Sequence, residues 1–152
     1  MNIVKSMNQY NGDYVFFSEP IKNNIMNNGY FIRIIYSTEL FTLNGIYIYI
    51  TINSHRTEKY YNKYKCCFDI NSHKELIYKI KEIEDELLNK VKIDNKTPQF
   101  KLSDQMCNGN IKIFSDNLDK VCNSNTFLLK ISGIWEIDTY YGLTYKFQNI
   151  SN

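Results

Sequence analysis

The stretch Ile46-Tyr47-Ile48-Tyr49-Ile50-Thr51-Ile52 alternates without a break between isoleucine and a residue with a hydroxyl tip. Successive side chains of an extended chain point to opposite faces, so period two over seven residues specifies a strand with one dry face. The isoleucine face must be core, because burying each such side chain is worth about 1.5–3 kcal/mol. The Tyr face is either a second packed layer or a binding surface, since tyrosine has an apolar body and a polar tip. The rest of the chain has to supply a layer against those isoleucines.

Leu76, Ile80, Ile83 and Leu87 recur at spacings of four, three and four, joined by Ile77, Leu88 and Val91. That is an amphipathic helix of about five turns. Ser72-His73-Lys74-Glu75 reads as a capping box, with Ser72 as N-cap and Glu75 at N3. Glu75 near the start and Lys90 near the end complement the helix dipole. Glu82, Glu84, Asp85 and Glu86 read as its solvated face.

Strands are expected at Tyr30 to Tyr36, Tyr60 to Ile70, Ile111 to Phe114, Thr126 to Ile137 and Leu143 to Phe147. Both faces of the first are largely apolar, which suits a central strand. Thr139-Tyr140-Tyr141-Gly142 makes the last hairpin. Phe100 to Leu102 reads as a short extended piece, and Asp116 to Asn125 as a loop. Residues 1–28 form a less regular, Asn-rich segment, broken at Ser18-Glu19-Pro20 and turning at Asn27-Asn28-Gly29. One long helix among about six strands predicts a mainly β, α+β fold in a single domain, 1–152. An OB-like barrel and a partly open antiparallel sheet both fit that order.

At 152 residues the chain is large enough for one core and too short for several. Its 20 Asn, 21 Ile and 16 Lys, against two Arg and no Ala, follow AT-rich codons. The Asn, Lys and Tyr excess is therefore discounted as a nucleic-acid signature. No apolar run approaches the ~18 residues of a spanning helix, and no membrane partner is expected. Met1 to Lys5 lacks the apolar core of a signal peptide, so an intracellular setting is expected. The net charge of +2 excludes a histone-like coat but permits a local basic patch.

Cys66, Cys67, Cys107 and Cys122 have no C-x-x-C spacing, and the adjacent pair points to opposite faces of a strand. His55 and His73 add no zinc-type arrangement. The thiols are expected free and reduced. G-x-S-x-G, the P-loop and G-x-G-x-x-G are all missing. The expectation is a protein without metal, cofactor or catalytic centre.

One window interleaves aromatics with cations: His55-Arg56-Thr57-Glu58-Lys59-Tyr60-Tyr61-Asn62-Lys63-Tyr64-Lys65. Proteins that hold single-stranded nucleic acid stack bases on aromatic faces and follow phosphates with Lys or Arg. In one continuous strand Tyr61, Lys63 and Lys65 share a face, with Tyr60 and Tyr64 on the other. The plainer alternative is a solvated edge strand whose lysines discourage edge pairing. Lys112, Lys130 and Lys146 alternate with apolar neighbours and join the candidate set, as do Trp135 and Tyr140. Strict alternation puts Trp135 on the core face with Phe127, Leu129 and Ile131, whereas a bulge at Gly133 turns it outward.

Two segments resemble small proteins of nucleocytoplasmic large DNA viruses, some of them similar to phage-type single-stranded DNA-binding proteins with an OB fold. They are Lys96-Thr97-Pro98-Gln99-Phe100-Lys101-Leu102 leading to Gly109-Asn110-Ile111-Lys112-Ile113-Phe114, and Leu129 to Glu136 followed by Tyr141 to Phe147. The resemblance covers about a third of the chain and implies a viral single-stranded DNA-binding protein, in host cytoplasm, nucleus or virion. Phage-type proteins end in an acidic tail, whereas this chain ends Gln148-Asn149-Ile150-Ser151-Asn152. The competing reading is a virion or assembly component whose Tyr-rich sheet face binds other viral proteins or forms a homodimer. Cations clustered on the Tyr-bearing face favour nucleic acid; dispersed cations favour protein contact.

Overall fold

The computed structural model describes residues 5–23, 29–53, 55–61, 63–113 and 125–150. The first strands are β1 (Lys5–Ser6), β2 (Val15–Phe17), β3 (Ile21–Asn23), β4 (Gly29–Ser37), β5 (Thr42–Asn44) and β6 (Ile46–Thr51). A hairpin of β7 (Arg56–Tyr60) and β8 (Lys63–Cys67) follows, then helix α1 (Lys74–Val91) and β9 (Thr97–Gln99). Helix α2 (Lys101–Cys107), β10 (Asn110–Ile113), β11 (Thr126–Glu136) and β12 (Tyr140–Asn149) complete the order. The readings at Asn24 to Asn28, at Phe114 and along 116–124 fall outside the described residues.

The isoleucine strand behaves as its alternation demands. Ile46, Ile48, Ile50 and Ile52 are all buried, in one core with Ile80, Ile83 and Leu87 of α1 and Leu102 and Met106 of α2. Leu76 packs against that core half-buried. The sheet runs β1-β6-β11-β12-β10-β8-β7, with β4 joining β11 beyond β6 and carrying β2, β3 and β5. β1 on β6, β10 on β12 and β9 on β12 are parallel, and the other pairings are antiparallel. This is a mixed α+β fold.

The OB-like barrel is not realised. Closure requires the terminal strands of the path to pair, and β1 and β7 do not. β7 ends the sheet with Arg56, Glu58 and Lys59 exposed, a charged edge that resists further pairing. The single strand expected over Tyr60 to Ile70 is also corrected. The chain reverses where Tyr61 takes φ 56°, and Arg56 to Tyr60 folds back on Lys63 to Cys67. A positive φ in a two-residue connection matches the right-handed twist of the flanking strands.

A second helix stands where a short extended piece was expected, and its cause is tertiary. Glu84, read as part of a solvated face, is completely buried and accepts hydrogen bonds from the backbone N–H of Leu102 (3.1 Å) and Ser103 (2.8 Å) and from the Ser103 hydroxyl. Those N–H groups begin α2 and have no partner within it, so the carboxylate of α1 caps α2. Burial, opposed by these hydrogen bonds, holds the Glu84 carboxyl above the ordinary glutamate range. The nearby Tyr145 hydroxyl donates to Gln105 at 2.7 Å, and burial pushes its pKa up to about 12.

The capping box is replaced by a different device. Ser72 donates to Asp69 at 2.7 Å, inside a tight turn that precedes α1. His73 at the N-cap position is buried, and its Nε2 accepts from the Asn53 N–H at 3.1 Å while Nδ1 donates to the Asp69 carbonyl at 2.7 Å. The imidazole joins the end of the isoleucine strand to the start of the helix.

Ile50→Ala should cost about 2–5 kcal/mol in chemical denaturation; a loss below about 0.5 kcal/mol would mean that the Ile face is not core. Glu84→Gln sets an amide donor against backbone donors and should cost about 1–3 kcal/mol. Because the folded state raises the Glu84 pKa, its titratable contribution is complete below about pH 4.3 and is lost as pH climbs through the raised value. The gap between wild type and Glu84→Gln should therefore narrow from pH 4 to pH 8, and a widening gap would contradict the assignment.

Candidate functional site

Register across the strands assembles the site. On the sheet face opposite the isoleucines, Glu58 of β7 stands beside Lys65 of β8, and Lys65 beside Lys112 of β10. Lys130 of β11 stands between Lys146 of β12 and Tyr47 of β6. β10 and β12 are parallel with Ile113 opposite Phe147, which places Lys112 next to Lys146 in the same row. One line perpendicular to the strands is Tyr47, Lys130, Lys146, Lys112, Lys65, Glu58. With strands about 4.8 Å apart, the four lysines span roughly 14 Å.

The same alternation that makes the core makes this row. Lys65 lies between buried Tyr64 and Cys66, Lys112 between Ile111 and Ile113, and Lys130 between Leu129 and Ile131. Each lysine is turned outward because its neighbours are turned in. Lys130 reaches Tyr47, its Nζ 5.4 Å from the ring centroid. Among the described residues Lys65, Lys130 and Lys146 form no ion pair with a carboxylate, whereas Arg56 and Glu58 pair at 3.1 Å. By strand register this face holds Arg33, Arg56, Lys63, Lys65, Lys112, Lys130 and Lys146, against Glu58 as its one carboxylate among the described strands. Seven less one is +6, on a chain whose net charge is +2.

Aromatic rings flank the row. Tyr49, 40% exposed, sits two residues along β6 from Tyr47. Trp135 arrives through a bulge. β11 and β12 keep register from Phe127 to Ile131, slip, and resume with Gly133 opposite Thr144, so Trp135 lies opposite Gly142 rather than on the Phe127 face. Its ring covers Gly142, where a Cβ would sit 2.8 Å from Trp135 Cζ2 and 2.9 Å from the Gln99 carbonyl. Lys101 Nζ lies 4.9 Å from the ring centroid, in cation–π range. Phe31 pairs with Trp135 on the neighbouring strand, and its ring fills the space that a side chain at Gly133 would need.

The twelve sequence-selected residues divide. Lys63, Lys65, Lys112, Lys130, Lys146 and Arg56 share the face with Trp135 and the 40%-exposed Tyr140. Tyr60 lies in register with Lys63 on the same row of pairs. Tyr61 is at the hairpin tip, 83% exposed. Tyr64 and Lys59 do not join them. They pair with each other on the opposite face, and Tyr64 is buried in the core. Lys63 and Lys65 keep the face opposite Tyr64 that one continuous strand implied, and the turn at Tyr61 changes only the pairing of Tyr60. Tyr47, Tyr49, Phe31, Arg33 and Glu58 were missed as site residues, although the Ile/Tyr alternation pointed the two tyrosines outward.

The perturbed groups Glu84 and Tyr145 lie on the helix side, away from this face. Among the described residues no group of three or more His, Cys, Asp or Glu could hold a metal ion, and no helix is long and apolar enough to cross a membrane. Cys66, Cys67 and Cys107 are free thiols, and Cys122 lies outside the described residues. Comparison with protein-family models, curated proteins and solved structures returns no match, so the site stands on its own chemistry.

Gly142→Ala should displace the indole, shift Trp135 emission to the red and cost about 1–3 kcal/mol through overpacking. Unchanged emission would show that the ring does not rest on Gly142.

Proposed function

We propose that this chain binds single-stranded nucleic acid, without sequence preference, on the open sheet face. The observation that carries this reading is the row of four lysines flanked by Tyr47 and Tyr49. Ammonium groups on one line neutralise successive phosphates, and exposed rings beside them offer stacking platforms to unpaired bases. Sheets that present aromatics in this way bind single strands by splaying the bases across the strands. Duplex stacks its own bases and leaves such rings unused. Lysine reads phosphate and not base identity, which fits binding without sequence preference.

The other reading, a Tyr-rich face for protein contact, is less well served. Interface centres are enriched in aromatics but depleted in lysine, and here lysines hold the centre while aromatics lie at the margins. The cations cluster on the Tyr-bearing face, which is the arrangement expected of a nucleic-acid surface.

Fluorescence anisotropy with labelled oligo(dT) and oligo(U) at low salt should show saturable binding that weakens steeply as salt is added. Lys130→Gln and Lys146→Gln should each reduce the log–log salt slope by about 0.7, while Lys59→Gln on the opposite face should leave it nearly unchanged. Tyr47→Ala or Tyr49→Ala should weaken binding by about 1–3 kcal/mol with little change in slope. No saturable binding to either oligomer would overturn the proposal.

A further inference from the structure

The direction of the charge pattern carries more than its existence. Along β11 and β12 the residues two positions from a row lysine are uncharged, Leu128 and Ser132 around Lys130 and Thr144 and Gln148 around Lys146, while on β8 Lys63 and Cys67 flank Lys65. Across the strands, every position from Lys130 to Lys65 is a lysine. Positive charge is therefore continuous at right angles to the strands and, except at Lys63, interrupted along them. The row also has an end. Glu58 occupies the position after Lys65 on the edge strand and draws Arg56 into a 3.1 Å ion pair.

Resting on the single-strand reading above, we infer that the bound strand crosses the sheet perpendicular to its β-strands, on a short track that begins at Tyr47 and is terminated by Glu58. A carboxylate at that point repels the next phosphate and engages Arg56, its neighbour two positions along the edge strand, opposite Cys67. The track from Tyr47 to Lys65 covers four inter-strand steps, about 19 Å. An unstacked strand stretches to at most roughly twice the 3.4 Å per nucleotide of duplex, so the track holds about three to six nucleotides. That is the short end of the site sizes known for single-strand binders, roughly 4–16 nucleotides.

Both the length and the terminus are measurable on the whole chain by anisotropy with (dT)2 to (dT)14. Affinity should rise with each nucleotide to a length of about three to six, and beyond it only in proportion to the number of available registers. The wild-type salt slope should be about −2.8, from four contacts at about 0.7 each. Glu58, half exposed at the sheet edge, tolerates replacement. Glu58→Gln should tighten binding about two- to fivefold by removing the repulsion and freeing Arg56. Glu58→Lys should steepen the slope by about 0.7 and move the length limit up by one or two nucleotides. Affinity that keeps climbing steeply past (dT)10, or a salt slope indifferent to Glu58→Lys, would overturn the transverse track while single-strand binding itself stood. Failure of every oligomer to bind would remove the parent reading and the track together.

Discussion

The slip in register at Ser132 of β11 is the constraint on which the two sides of the sheet depend. Before it, Phe127, Leu129 and Ile131 face the core and Lys130 faces out against β6. After it, Ile134 faces the core and Trp135 faces out against β4. One strand thereby serves two partners and places a lysine and a tryptophan on the same outer face, which strict alternation forbids. The glycines opposite the rings complete the arrangement, because Phe31 needs the space over Gly133 and Trp135 the space over Gly142.

The lysine row works against the stability that the other face supplies. Lys65 opposite Lys112 and Lys130 opposite Lys146 are like-charge cross-strand pairs, and each costs on the order of 0.2–1 kcal/mol. Buried isoleucines beneath them contribute several times as much per strand, so the fold holds the charges in line. A polyanion bound there, as proposed, would relieve that repulsion. On the proposed track the cost of ordering the lysines would be met during folding rather than during binding, which would favour affinity from few contacts.

Particular residues show how far the sequence could be read. The Ile46 to Ile52 alternation and the Leu76 to Leu87 periodicity were legible because period two and period 3.6 are local properties of the chain. Open or closed was not, because closure depends on whether β1 meets β7, a pairing that no local pattern encodes. Helix α2 was invisible for a related reason: its cap is Glu84, from another helix and 18 residues before the first N–H it receives. In the candidate site, Lys112, Lys130 and Lys146 could be singled out one by one, but their alignment exists only through two strand pairings. The window from Arg56 to Lys65 misled in one respect. A reversal at Tyr61 folds Arg56 to Tyr60 back on Lys63 to Cys67, and Tyr64, a ring expected to stack on a base, is core.

Whether the outer sheet face meets nucleic acid, as proposed, is tested most directly by backbone amide chemical-shift mapping during titration with (dT)6. The shifts should concentrate on β6, β11, β12, β10 and β8 around Tyr47, Lys130, Lys146, Lys112 and Lys65, leaving α1 and α2 nearly unchanged. Shifts confined to the helices or to the β2–β5 region would contradict it.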